Sequence, residues 1–296
     1  MNKETLDKNL KPVFPLWVRI VLILLAYTIV AGLFQVIGMY ITGVPIDDLE
    51  ALENLTMNQL LVTQVLSAIA TVLVVYLFRR YMDKKSMHSL GFSLAHRGAD
   101  IFWAMVLAFV MIAGATLVLY LLGYIELVVN DFSLVTLSMS LLLFVSVSLS
   151  EEVLIRGYIL NNLMTSMNKY MALVLSATIF TLFHLFNLHL SVLSVVNLFI
   201  AGILLGTAYI YTKNLWFSIS LHTFWNFFQG SIFGYPVSGQ KVDSILQLKY
   251  IENNTIITGG DFGFEGSILS TIVTVVLILT IIWFYENKLY TKSSHQ

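Results

Sequence analysis

The sequence predicts an all-α polytopic membrane protein, a bundle of about eight transmembrane helices around a buried polar site. Hydrophobic residues make up 58% of the 296 residues and charged residues only 11%, with a mean hydropathy of +0.84, far from the norm for soluble domains. Apolar runs recur along the whole chain, each near or above the ~20 residues that a bilayer requires. The four prolines, Pro12, Pro15, Pro45 and Pro236, all fall outside those runs, so no helix has to be kinked by one.

In order, the runs cover residues 16–41, 59–78, 101–124, 133–163, 170–188, 191–211, 215–233 and 267–285. The first apolar run is long enough to remain as an anchor, and no signal-peptide pattern precedes it. The chain divides into N-terminal scaffold helices (1–132), a helical core (133–233), and an extracytoplasmic loop with the final helix (234–296). Basic residues set the orientation. Lys3, Lys8, Lys11 and Arg19 precede or open the first run, Arg79, Arg80, Lys84, Lys85 and Arg97 follow the second, and Lys169, Lys213, Lys288 and Lys292 lie on that same side. Asp47, Asp48, Glu50, Glu53, Glu126 and Asp131 lie opposite, with Lys241 and Lys249 against the trend. This bias places both termini in the cytoplasm. The scaffold shows no deeply embedded ionisable group, and Arg19 sits close enough to its helix end to reach the interface.

Several classes drop out. The absence of cysteine removes disulfides, thiolate metal ligands and a cysteine nucleophile. A net charge of −1 gives no reason to expect a nucleic-acid partner. The partners implied are the lipid bilayer and whatever enters the polar site; the oligomeric state is open.

The polar site begins at Ser150-Glu151-Glu152-Val153-Leu154-Ile155-Arg156, where two carboxylates and an arginine interrupt the fourth apolar run. Charges at bilayer depth are costly and usually face a protein interior or a wet cavity. Two imidazoles and an amide join them: His184 in the fifth run, His222 and Asn226 in the seventh. Glu152 and Arg156 are four apart and can pair on one helix face. Glu151 lies about 100° around from Glu152 and can address a different partner. His222 and Asn226 share a stripe, and Phe180 stands one turn before His184. By helix rise, Glu151 lies ~18 Å and His184 ~21 Å from the cytoplasmic end, whereas His222 lies only ~10 Å in. Taken singly, each histidine or amide serves as interhelical glue. Their concentration in one short region favours a site.

A carboxylate held among apolar helices suits a general base. Arg156 beside Glu152 keeps the second carboxylate ionised and fixed, leaving Glu151 to handle a proton. His184 shares the water or carries the proton onward, and His222 and Asn226 supply donors to a developing oxyanion. Alternatively, Glu151, His184 and His222 form a ligand set for Zn²⁺ or another divalent metal, with an open position for water. The residues leave both versions open. No His-Glu-x-x-His, no intrahelical aspartate pair and no glycine-flanked serine nucleophile occurs.

Glu-Glu-x-x-x-Arg at Glu151–Arg156, Phe-x-x-x-His at Phe180–His184 and His-x-x-x-Asn at His222–Asn226 resemble, in order, the three motifs of the CPBP family, the CAAX proteases and bacteriocin-processing enzymes of Abi type. The resemblance covers about residues 133–228, and Gly259-Gly260-Asp261-Phe262-Gly263-Phe264-Glu265-Gly266-Ser267 looks like the loop before the last helix in bacterial members. It implies an intramembrane endopeptidase of the bacterial plasma membrane, with its catalytic core at 133–233 and a site opening toward the cytoplasm. Its substrate would be a peptide or membrane protein, either CAAX-like or bacteriocin-type. By the same resemblance, Glu151 and His184 activate water, His222 and Asn226 form the oxyanion site, and Glu152 with Arg156 supports the catalytic glutamate. The family is labelled metallopeptidase, although a metal-free mechanism is also proposed for it. Two other readings are an ion- or proton-coupled transporter and a non-catalytic bacteriocin immunity protein. Against the transporter, the sequence shows neither an inverted repeat nor a pair of broken helices.

Overall fold

Polar caps end the apolar runs and so set the helices. In the computed structural model, which describes residues 11–252 and 254–293, Pro15 precedes α1 (Leu16–Ile41). Thr56 and Gln59 form a capping box that starts α2 (Met57–Leu77), which continues in π-helical turns to Met82. The next helix, α3, covers Gly98–Leu121. Ser133 caps α4, which runs from Leu134 to Glu152 and on through a π-helical stretch, Val153–Leu160, to Leu163. Asn168 caps α5 (Lys169–Phe183), and Ser191 with Ser194 caps α6 (Val192–Thr212). After α7 (Trp216–Phe227, with π-helical turns to Ile232) comes α8 (Ile268–Ser293). Side-chain oxygens at these starts satisfy amide groups that have no partner inside the helix.

Six of the eight helices are long and apolar enough to cross a membrane, and α5 is a shorter apolar helix. Large apolar side chains such as Leu25, Leu117, Leu142 and Leu279 remain exposed on the bundle surface, where lipid replaces water. The chain is an all-α integral membrane protein. Lys3 and Lys8, and the side chains of Lys288 and Lys292, which the expected orientation used, lie outside the described residues.

Two expectations, the first and third below, need correction, and the second point adds detail. The fifth helix stops at Phe183, not at 188. The imidazole of His184 turns back onto the Phe180 carbonyl, 2.8 Å away, and takes an acceptor that one more helical turn would have used. Second, the α3–α4 and α7–α8 connections carry a two-stranded antiparallel sheet, β1 (Ile125–Val129) with β2 (Leu246–Tyr250). Glu126 stands opposite Lys249 in this register, and Lys241 pairs with Asp261 at 3.8 Å. Both lysines that run against the charge bias thus have a local acidic partner.

Third, the scaffold does hold buried ionisable groups. Arg19 is buried and pairs with Asp83 rather than reaching the interface. Asp83 also takes Arg79 at 2.9 Å, Asn162 at 3.0 Å and the Tyr158 hydroxyl at 3.2 Å. Arg19 gives a further bond to Asn162 at 2.9 Å, and Arg79 one to Asn161 at 3.1 Å. Two arginines and one aspartate from α1 and α2 thereby lock onto the far end of α4. Such buried charges persist because each is paired and hydrogen-bonded. With residues 152–160 wholly buried, this cluster closes the end of the bundle that bears the termini.

Candidate active site

At the middle of α4, Glu152 and Arg156 are fully buried, with 0% exposure for each, and their side chains meet at 2.7 Å. The π-helical stretch starts immediately after Glu152, a departure from α geometry often found at functional sites. Arg156 also donates to the Gly202 carbonyl of α6 at 3.0 Å, and its guanidinium lies 4.6 Å from the centre of the Phe180 ring. Gly202 is needed there: a Cβ would come within 2.9 Å of the Ala177 backbone, so only glycine lets α6 approach α5 this closely. One ion pair therefore ties α4 to α5 and α6.

The same Glu152 oxygen accepts the Nδ1–H of His222 at 3.0 Å. A carboxylate can only accept, so Nδ1 carries a proton and Nε2 faces the cavity. The same reasoning applies to His184, whose Nδ1 faces the Phe180 carbonyl at 2.8 Å. Its Nε2 is likewise left for the cavity. Glu151 Oε2 lies 3.8 Å from His184 Nε2 and 3.9 Å from His222 Nε2. It has no hydrogen-bond partner of its own. Three polar atoms thus converge, at separations too long for direct hydrogen bonds. Glu151 keeps a 25% exposed side chain, whereas its neighbour Glu152 has none.

The arrangement sharpens the expected roles. All six residues singled out in the sequence gather at one place. The Glu152–Arg156 pair contacts His222, not Glu151, so the support it gives is to the imidazole. His222 can donate to an oxyanion only when protonated at Nε2; Asn226, 4% exposed and lining the cavity, carries an amide N–H and makes no hydrogen bond to another described residue. The depth mismatch of His222 has a simple origin. Unbroken α4 is 30 residues long, ~45 Å, and outruns a ~30 Å hydrocarbon core, so counting from Leu163 overstates the depth of Glu151.

Glu151, His184, His222 and Asn226 line a cavity of ≈ 510 Å³. Its remaining walls include Leu55 and Leu60 before and at the start of α2, Phe186 to Leu188 in the α5–α6 turn, and Ser238 to Gln240 of the loop before α8. All of these belong to the end opposite the termini, and Phe186 is 95% exposed there. The exposed lining residues thus lie opposite the start of α1 and the end of α8, so a cytoplasmic mouth among them would put those two helix ends on the other side of the membrane.

Among the lining residues that sequence reasoning missed are Asn197 and Glu265. Asn197 bonds the carbonyls of Glu265 and Ser267 at 2.7 and 2.8 Å and accepts from Thr271 at 2.6 Å, fixing the loop against α6. Gln229 takes Trp225 at 3.0 Å and donates to the Pro236 carbonyl at 2.7 Å. Gly263, with φ +98°, sits where a Cβ would collide with that carbonyl. An asparagine in the middle of an apolar run was the available signal for the first. For the second it was the glutamate in a glycine-rich stretch.

Among the described residues no group of three or more His, Cys, Asp or Glu is spaced to hold a metal ion. The separations of 3.8 and 3.9 Å exceed the about 3.3 Å between ligand atoms around tetrahedral zinc. As placed, Glu151, His184 and His222 do not close on an ion.

Residues 133–228 match the model of the Rce1-like family, described as type II CAAX prenyl endopeptidase Rce1-like. That span runs from the cap of α4 to just past Asn226 and contains all six site residues. No curated protein matches the chain.

Proposed function

We propose, on the premise that residues 133–228 are a CAAX-type endopeptidase domain of the Rce1-like family, that this membrane hydrolase cleaves a peptide bond with a water activated by Glu151. The observation that carries the proposal is the orphaned Glu151 Oε2, set against two imidazole nitrogens at the floor of a cavity. A single water can bridge the three atoms, giving its two hydrogens to two of them. Glu151 then takes one proton as the oxygen attacks the carbonyl carbon, and returns it to the leaving amine. His184 orients the water through Nε2. His222, backed by the Glu152–Arg156 pair, is placed to carry positive charge, and in that form it joins Asn226 in facing the oxyanion. No step runs through a metal.

Asn226→Ala tests the oxyanion role. Expected is a fall in kcat of about 10²–10³-fold, with KM nearly constant, in proteoliposomes supplied with a quenched-fluorescent peptide. A change confined to KM would assign Asn226 to ground-state binding instead.

The reading also gives the substrate a side. With the termini in the cytoplasm, the mouth faces the exterior, so peptides would be taken from the outer half of the membrane rather than from cytosolic C-termini. The cysteine-free chain offers a clean test. A membrane-impermeant maleimide should label Gln240→Cys, at the mouth, in intact cells. Lys213→Cys, at the C-terminal cap of α6, should be labelled only after lysis. The reverse pattern would put the mouth in the cytoplasm.

A further inference from the structure

The carboxylates on the cavity wall face no lysine or arginine. Glu152 is neutralised by Arg156, which leaves Glu151 and Glu265 as the carboxylates that line the cavity, and no lysine or arginine lines it with them. The basic residue next to the mouth in sequence, Lys241, points to Asp261. Glu265 is held on purpose-built backbone. The amide N–H of Ser238 and its hydroxyl both donate to Glu265 Oε2, at 3.0 and 2.6 Å, and Ser238 adopts φ +49° to do so. Asn197 fixes the main chain of Glu265 from α6. The other oxygen, Oε1, makes no hydrogen bond to a described residue. Burial leaves the proton affinity of this carboxyl raised, although Ser238 and the nearby imidazoles of His184 and His222 oppose the rise. Those two imidazoles also locate it: Glu265 lies within electrostatic reach of His184 and His222.

A half-buried carboxylate at the wall of a peptide-sized cavity, with one oxygen anchored and the other without a hydrogen bond, lacks a lysine or arginine partner. Leaving such a group without one is costly, and a charge-assisted hydrogen bond is the strongest way to satisfy it. We propose that Glu265 is a substrate-recognition residue, whose Oε1 binds a cationic group of the peptide, a Lys or Arg side chain or a free amine, beside the scissile bond. Ser238 and Asn197 position it. The inference rests on the peptidase reading above and adds to it a class of substrate: cationic segments are drawn in, and carboxylate-rich ones are repelled by Glu151 and Glu265 together.

The test uses the full chain in proteoliposomes and a matched series of quenched-fluorescent peptides of apolar sequence. Members differ only in carrying Lys, Gln or Glu at one position near the cleaved bond. For wild type, kcat/KM for the best-placed Lys peptide should exceed that of its Gln counterpart roughly tenfold or more, chiefly through KM, and the Glu peptide should be poorest. Glu265→Gln keeps an oxygen for Ser238 to bond, and should bring the Lys-to-Gln ratio near one; Ser238→Ala should lower it part of the way. Equal rates across the series in wild type, or a preference that survives Glu265→Gln, would overturn the inference. So would an equal loss on all peptides accompanied by a lowered melting temperature, which marks a purely structural residue. If no peptide in the series is cut in a Glu151-dependent manner, the peptidase reading itself fails.

Discussion

Glu151→Gln should lower kcat by about 10²–10⁴-fold while leaving the melting temperature of the detergent-solubilised protein close to that of wild type. The two halves of this result come from different facts. The amide cannot take a proton from water, so the base is gone. Glu151 Oε2, however, accepts no hydrogen bond from the protein and lies 3.8 and 3.9 Å from the two imidazole nitrogens, so the amide breaks no bond that holds the fold. A variant that unfolded would contradict the geometry as much as one that remained active.

Glu152→Ala, one residue away, should behave in the opposite way. Its carboxylate bonds both Arg156 and His222 at 0% exposure, so truncation strands a buried guanidinium and an imidazole N–H. Breaking a buried pair from one side costs about 3–5 kcal/mol, and Arg156→Ala should fall in the same range. Replacing both partners together, as Glu152→Met with Arg156→Leu, should return most of that stability, because no buried charge is left uncompensated. Activity should not return, since His222 would have lost the acceptor that fixes its tautomer. Thermal unfolding of the two single variants and the double variant, with peptide turnover measured alongside, checks both statements.

The contrast between these neighbours also shows how much could be read from the sequence. A spacing of four put Glu152 and Arg156 on one helix face, and the step of 100° sent Glu151 elsewhere; both relations appear in the structure. The helical bundle followed from apolar runs whose length a bilayer dictates. Less legible were features that depend on contacts between distant segments. The stop at Phe183 has no proline or glycine to mark it, because the capping group is the side chain of His184 itself. Arg19 looked like an interface residue since its partner, Asp83, is 64 positions away. Glu265 sat in an evident glycine-rich stretch, but its direction depends on Ser238 and Asn197, which no local pattern connects to it. The identity of what the Glu152–Arg156 pair supports was hidden for the same reason: His222 is brought to it by packing of α7 against α4.

The most direct measurement is cleavage of a defined peptide in ¹⁸O-labelled water by the reconstituted protein, with products read by mass spectrometry. Wild type should give one new C-terminus carrying an ¹⁸O atom, and Glu151→Gln, folded to the same melting temperature, should give essentially none. Product formed at equal rates by the two proteins would contradict the role of Glu151 as the base that activates water.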